Sequence, residues 1–224
     1  MSSYVIQCRN SGELSAGAIS ALARVMTARD GLTQEHSLRV QRSAVALARE
    51  AGVRDERLLS AIDAAALLHD IGKLAIPDRL LHKPGPLTPD EYELVKQHAI
   101  IGADTLSAIA FPFPLTLIVR HHHENWDGTG YPDQLRGEAI PVGARVLSVV
   151  DCYDALTSDR PYRAAVSHGS ALAMIHERRG TMYDPSIVDA FLRIVPRLRS
   201  AGAREPAEKQ ARTRTSLRLQ ARAV

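Results

Sequence analysis

Aromatic residues are scarce: one Trp, six Tyr and three Phe make up 4% of the 224 residues. That argues against a surface that reads bases by stacking. Cysteine is nearly absent. Cys8 and Cys152 lie far apart with no C-x-x-C pattern, so neither a disulfide framework nor a thiolate zinc site is indicated. The longest uncharged apolar run, Ser107–Val119, is 13 residues and is interrupted by Pro112 and Pro114, too short to span a bilayer. The opening residues lack the basic-then-apolar order of a signal peptide, so a cytoplasmic protein with no transmembrane segment is expected. No segment alternates apolar and polar residues with a period of two, which removes strands from the expectation.

Hydrophobic residues make up 45%, enough for a packed core. The pI near 9.0 suggests a polyanion partner, but the charge is local. Residues 204–224 hold six basic and two acidic residues, a net +4, leaving the preceding chain at −1. No sequence-specific nucleic-acid binding is therefore expected of the domain.

Apolar spacings of three and four residues predict helices throughout. One begins at Leu14, with Ala18, Leu22 and Val25 on one face. A second spans 34–51 and stops at Gly52; a third starts after Val53 and ends near Gly72. Residues 74–87 read as a loop. Thr88-Pro-Asp-Glu91 is a capping box with Pro at the first helical position, opening a helix through His98 to about 109. Further helices are expected at about 115–123, 142–157, 168–179 and 185–199, the last capped by Asp184. The expected fold is all-α, a single bundle of about seven or eight helices. Residues 1–13 form a short leader, 14–200 the domain and 201–224 a basic tail. The short leader leaves no room for a preceding sensor domain and suggests a stand-alone domain.

The nine histidines carry more information than any other count. His69-Asp70 closes the third helix, and such a pair offers an imidazole and a carboxylate able to bridge two cations. Gly72 lets the chain turn at once, and Lys73 adds a cation beside the pair. His36, His98, His122, His123 and Asp151 each fall on a predicted helix that could point to one focus, as bundles do when they build metal sites.

The motif string is longer than a ligand set. It runs from His69-Asp-Ile-Gly-Lys73 and Ile76-Pro-Asp78 to His98-x-x-x-Gly102. It continues with His122-His-Glu-Asn-Trp-Asp-Gly-Thr-Gly-Tyr-Pro132 and Asp151-x-x-Asp-Ala-Leu-Thr-Ser-Asp-Arg-Pro-Tyr-Arg163. Over about residues 14–200 this resembles the HD-GYP domain, the subgroup of HD phosphohydrolases associated with cyclic di-GMP hydrolysis.

The resemblance implies a binuclear centre held by His36, His69, Asp70, His98, His122, His123 and Asp151, with Asp70 bridging. Iron or manganese would be the usual metals. Some members hold a third metal with a Glu four positions before the first His; here that position is Leu32, so two metals are expected. The implied reaction is hydrolysis of cyclic di-GMP to linear pGpG, or onward to GMP, by a metal-bridging hydroxide. Asp70 and Lys73 would be catalytic, and Lys73, Arg160 and Arg163 would bind substrate phosphates. Asp127, Gly128, Gly130, Tyr131 and Pro132 would form a loop at the site's edge, with Asp127 anchoring it, open to GGDEF-domain partners. A homodimer is open as well. Asp154, one turn after Asp151, is expected to support a ligand, and His121 to face solvent, as are His82, His168 and His176. Two other readings stand beside this one: a phosphohydrolase acting on another cyclic dinucleotide or nucleotide, and a non-catalytic cyclic di-GMP sensor or scaffold.

Overall fold

A computed structural model describes residues 11–30, 34–159 and 164–200. They form α1 (Ser11–Asp30), α2 (Gln34–Glu50), α3 (Glu56–Leu68), α4 (Asp78–Leu81), α5 (Pro89–Ser107), α6 (Leu115–His121), α7 (Val142–Thr157), α8 (His168–Glu177) and α9 (185–200). Short 3₁₀ turns occupy Ile71–Ala75 and Gly137–Ala139. Among the described residues there is no strand, and no helix is long and apolar enough to cross a membrane. The all-α expectation holds. Leu32, Arg160, Arg163, the leader up to residue 10 and the basic tail lie outside the described residues.

Local signals placed most helix boundaries. Thr88 accepts from the Glu91 amide while Glu91 accepts from the Thr88 amide, so the capping box opens α5 as the sequence predicts. Gly52, at φ 95°, follows the end of α2. Two readings need correction. The expected loop 74–87 begins within a 3₁₀ turn and contains the one-turn α4. The third helix ends at Leu68 rather than near Gly72, because the chain tightens into that 3₁₀ turn immediately after the His-Asp pair.

The core lies where α3 runs through the middle of the bundle. Leu59, Ala61, Ile62, Ala64, Ala65, Ala66 and Leu68 are all buried. The alanines let α2 and α7 approach, with Val40, Ala44, Leu47 and Ala48 on one side and Val146, Leu147, Val149 and Val150 on another. Phe191, fully buried, carries α9 into the same cluster.

Two glycines set the distance between α5 and the turn after α3. A Cβ on Gly72 would lie 1.9 Å from the His98 carbonyl oxygen and 2.6 Å from the Gly102 nitrogen. Gly102 faces back, its virtual Cβ 3.2 Å from the Gly72 nitrogen. Gly72 is needed here for space, since it touches the backbone of α5. The close approach brings Asp70 against His98.

Asp184 caps α9, accepting from the Ser186 amide at 2.7 Å, and reaches across to Arg145 of α7 at 2.7 Å. Its burial opposes the charge, but the Ser186 and Arg145 bonds outweigh that and lower its pKa. The folded state thus favours the ionised form. Its stabilisation is complete above the ordinary carboxylate range and is lost as pH falls through the depressed value. Asp184→Asn keeps the cap and loses the charge, so it should cost about 1.5–2 kcal/mol. Thermal unfolding at pH 7 and pH 3 reads this: the gap between variant and wild type should narrow in acid. A pH-independent gap would refute the charge argument.

Candidate metal centre

Five segments converge on one end of the bundle. α2 supplies His36, the end of α3 His69 and Asp70, α5 His98, the residues after α6 His122 and His123, and α7 Asp151. The structure divides these seven into two groups able to hold a cation: His36, His69 and Asp151, and Asp70, His98, His122 and His123. Within each group the donor atoms lie within 4.8 Å of one another.

Asp70 joins the groups. Its Oδ2 is 3.5 Å from His69 Nε2, and its Oδ1 is 3.5 Å from His98 Nε2. Asp151 Oδ1 lies 3.7 Å from Nε2 of both His36 and His69. These separations are too long for good hydrogen bonds. They match two donors sharing one cation at about 2.0–2.2 Å each.

The imidazoles are oriented from behind. Nδ1 of His69, His98 and His122 donates to the carbonyl three residues earlier, at 3.2, 2.7 and 2.6 Å. A carbonyl can only accept, so each Nδ1 carries the proton and each Nε2 lone pair faces the focus. The Nε2 atoms of His69, His98 and His122 are buried and have no hydrogen-bond partner. Orphaned buried nitrogens that converge on carboxylates are what an imidazole-rich divalent-metal site requires, so the residues fit the group.

Electrostatics favour the ligating forms of Asp70, His98, His122 and His123. Burial holds the His98 pKa low, pushes that of His122 well below its usual range, and takes that of His123 to about 3. Burial alone would raise the Asp70 pKa, but Lys73 and then the neighbouring imidazoles outweigh it and hold the carboxyl well below the ordinary range. Lys73 Nζ donates to Asp70 Oδ2 at 2.6 Å.

Asp154 does what its spacing suggests. Its Oδ2 accepts from His36 Nδ1 at 2.6 Å, and Arg39 grips both its oxygens at 2.6 and 3.0 Å. Burial opposes its charge, yet the His36 and Arg39 bonds carry its pKa down to about 2. The carboxylate thereby sets the ring orientation of His36. Arg39 went unread in the sequence; its position one turn after His36 was the available signal.

His121 corrects an expectation. It is buried, not solvent-facing, with Nδ1 3.6 Å from Glu124 and 3.7 Å from Asp133. Glu124 also went unread. Its Oε1 accepts from the Asp133 amide at 2.7 Å, which ties the far end of the loop to the tandem histidines. Arg120 holds Asp133 through two bonds. His82, His168 and His176 are exposed, as expected.

The loop is pinned from within and without. Asp127 accepts from the Thr129 amide at 3.0 Å and from its hydroxyl at 2.6 Å, the anchoring role expected of it. Trp126 and Asp127 amides donate to the Met182 and Thr181 carbonyls. Gly128 sits at φ 84°, and a Cβ on Gly130 would lie 2.2 Å from the Asn125 nitrogen, so the loop can cross over itself only there. The Tyr131–Pro132 peptide is cis. Tyr131 stacks on His123 at a centroid distance of 4.8 Å and 28°.

The family model described as HD domain matches residues 20–187. The chain belongs to the HD domain family. Its motifs are those of the HD-GYP subgroup. It is 46% identical over 177 residues to the cyclic di-GMP phosphodiesterase response regulator RpfG of Xanthomonas campestris, covering 78% of this chain and 47% of that protein. It is 41% identical over 183 residues to a cyclic di-GMP phosphodiesterase of Thermotoga maritima, covering 80% and 49%. The chain thus spans about half the length of these curated relatives. Among solved structures, a cyclic GMP-AMP specific phosphodiesterase of V. cholerae shares the HD fold with a TM-score of 0.65 at 21% identity, covering 83% of this chain and 50% of that one. The HD domain of L. monocytogenes PgpH, solved with cyclic-di-AMP, does so at 0.55 and 18%, covering 78% and 95%.

Proposed function

We propose that this HD-GYP chain is a metal-dependent phosphodiesterase that hydrolyses cyclic di-GMP to linear pGpG. Residues 14–200 form the catalytic unit. One observation carries the reading: seven buried or half-buried donors fall into two cation-sized groups, and the two oxygens of Asp70 are shared between them. Two divalent ions, iron or manganese, suit imidazole-rich groups with one carboxylate each.

When bound, such a pair supplies Lewis acidity and activates a water at neutral pH. The protein's own groups do the rest. The five imidazoles with the Asp70 and Asp151 carboxylates would hold the centre, and Asp154 with Arg39 fixes His36. The water oxygen forms the new bond to phosphorus as the bond to the 3′ oxygen breaks, leaving a 5′-phosphate on a linear product. Lys73, part-exposed beside Asp70, offers N–H donors to the phosphoryl oxygens as charge builds there. Arg160 and Arg163 are assigned to the other phosphate contacts.

A second reading, hydrolysis of 3′,3′-cGAMP, draws on relatives of that name in Vibrio cholerae. These are 32–37% identical, against 40–46% for the relatives named for cyclic di-GMP. The order of identity favours cyclic di-GMP.

The test is turnover of cyclic di-GMP, 3′,3′-cGAMP, cyclic di-AMP and GTP by metal-loaded protein, with products separated. Expected is pGpG from cyclic di-GMP at the highest kcat/KM; activity on GTP alone would overturn the proposal. In the same assay Lys73→Ala should lower kcat about 10²-fold while two metals stay bound. Loss of metal in that variant would move Lys73 from substrate contact to support of the centre.

A further inference from the structure

α5 carries His98 inward and, on the turns before it, exposes Tyr92 and places a half-buried Lys96 beside it. Tyr92 is 46% exposed and takes no part in the core. It is nonetheless not isolated. Its ring meets Tyr131 edge-on at 6.4 Å and 82°, and Tyr131 in turn stacks on His123. Lys96 Nζ lies 4.8 Å from the Tyr92 centroid and 5.5 Å from that of Tyr131, and pairs with the exposed Glu93 at 2.6 Å. A continuous row of rings therefore leads from a donor of the metal centre to solvent, with an ammonium over its outer two members.

From this geometry we infer that Tyr92 and Lys96 form a purine-binding subsite that holds one base of the substrate and favours guanine. The inference rests on the phosphodiesterase reading. A phosphodiester centred between the two donor groups leaves a base one ribose away, on the scale of the two ring-to-ring steps that separate His123 from Tyr92. An aromatic face accepts any base by stacking, whereas an ammonium discriminates. Guanine offers O6 and N7 as two adjacent acceptors, and Lys donates to that edge; adenine replaces O6 with an amino donor. Lys96 can exchange its exposed Glu93 partner for that edge. The low aromatic content argues against an extended stacking surface, and a single exposed ring beside a phosphate-handling centre is a different feature.

A structural alternative is that Lys96 and Tyr92 only cover the loop. The two roles separate in kinetics. Tyr92→Ala in the metal-loaded chain should raise KM for cyclic di-GMP about 5- to 100-fold, with kcat, metal content and melting temperature nearly unchanged. Tyr92→Phe should restore the wild-type KM. Lys96→Ala should reduce the ratio of kcat/KM for cyclic di-GMP over cyclic di-AMP about tenfold, whereas Tyr92→Ala lowers both substrates alike. An unchanged KM in Tyr92→Ala, or an unchanged ratio in Lys96→Ala, would overturn the subsite while leaving the phosphodiesterase reading intact. If wild type turned over no cyclic dinucleotide, equilibrium binding of cyclic di-GMP should show the same shifts in Kd. Absence of any binding would reject both.

Discussion

Asp70→Asn should abolish turnover, by about 10³-fold or more, and lower the metal content below two per chain. The substitution keeps the side chain's volume and one oxygen, so packing is preserved. What it removes is the charge and one of the two oxygens that face His69 and His98, each at 3.5 Å. Lewis-acid stabilisation of a phosphoryl transition state is worth several kcal/mol, and each ~1.4 kcal/mol is a factor of ten. The Lys73 ammonium loses the negative charge it faces at 2.6 Å at the same time. Metal analysis and turnover on one preparation, with circular dichroism to show that the fold persists, read the outcome. Two tightly held metals together with wild-type activity would show that Asp70 does not join the groups.

The donor residues were legible because their chemistry is written in residue type and spacing. His69-Asp70, His122-His123 and Asp151 announce themselves by adjacency or by placement on a predicted helix. Their support was less legible, because it depends on what lies across the fold. Asp154 could be guessed from its i+3 relation to Asp151, but its grip by Arg39 crosses 115 positions of chain. The burial of His121 follows from Glu124 and Asp133 folding back on it, and a row of three histidines gives no sign of which one faces inward for a different purpose. Tyr92 and Lys96 belong to no motif in the sequence; only the loop arriving from residue 131 brings a ring beside them. The helices themselves were readable wherever a cap was encoded, as at Thr88 and Asp184. The tight turn after α3 was not, since its cause is the approach of α5.

Gly72→Ala should destabilise the fold by about 3 kcal/mol or more and cost the protein its centre. The added Cβ would sit 1.9 Å from the His98 carbonyl oxygen and 2.6 Å from the Gly102 nitrogen. Both are backbone atoms of α5, so no rotamer change relieves the clash. The turn and α5 must separate, and with them Asp70 and His98. At roughly 2–4 °C per kcal/mol for a chain of this size, the melting temperature should fall by about 6–12 °C. Gly102→Ala, whose nearest contact is 3.2 Å, should show a smaller loss. Gly17→Ala on α1 meets nothing within 4 Å and should be neutral or stabilising by up to about 1 kcal/mol, the helix-propensity gain. One chemical change at three sites thus isolates the contact from the residue type. Thermal unfolding and metal content of the three variants measure it. A Gly72→Ala protein that melts within a degree of wild type and retains two metals would mean that the His-Asp turn and α5 are not held together by glycine contact.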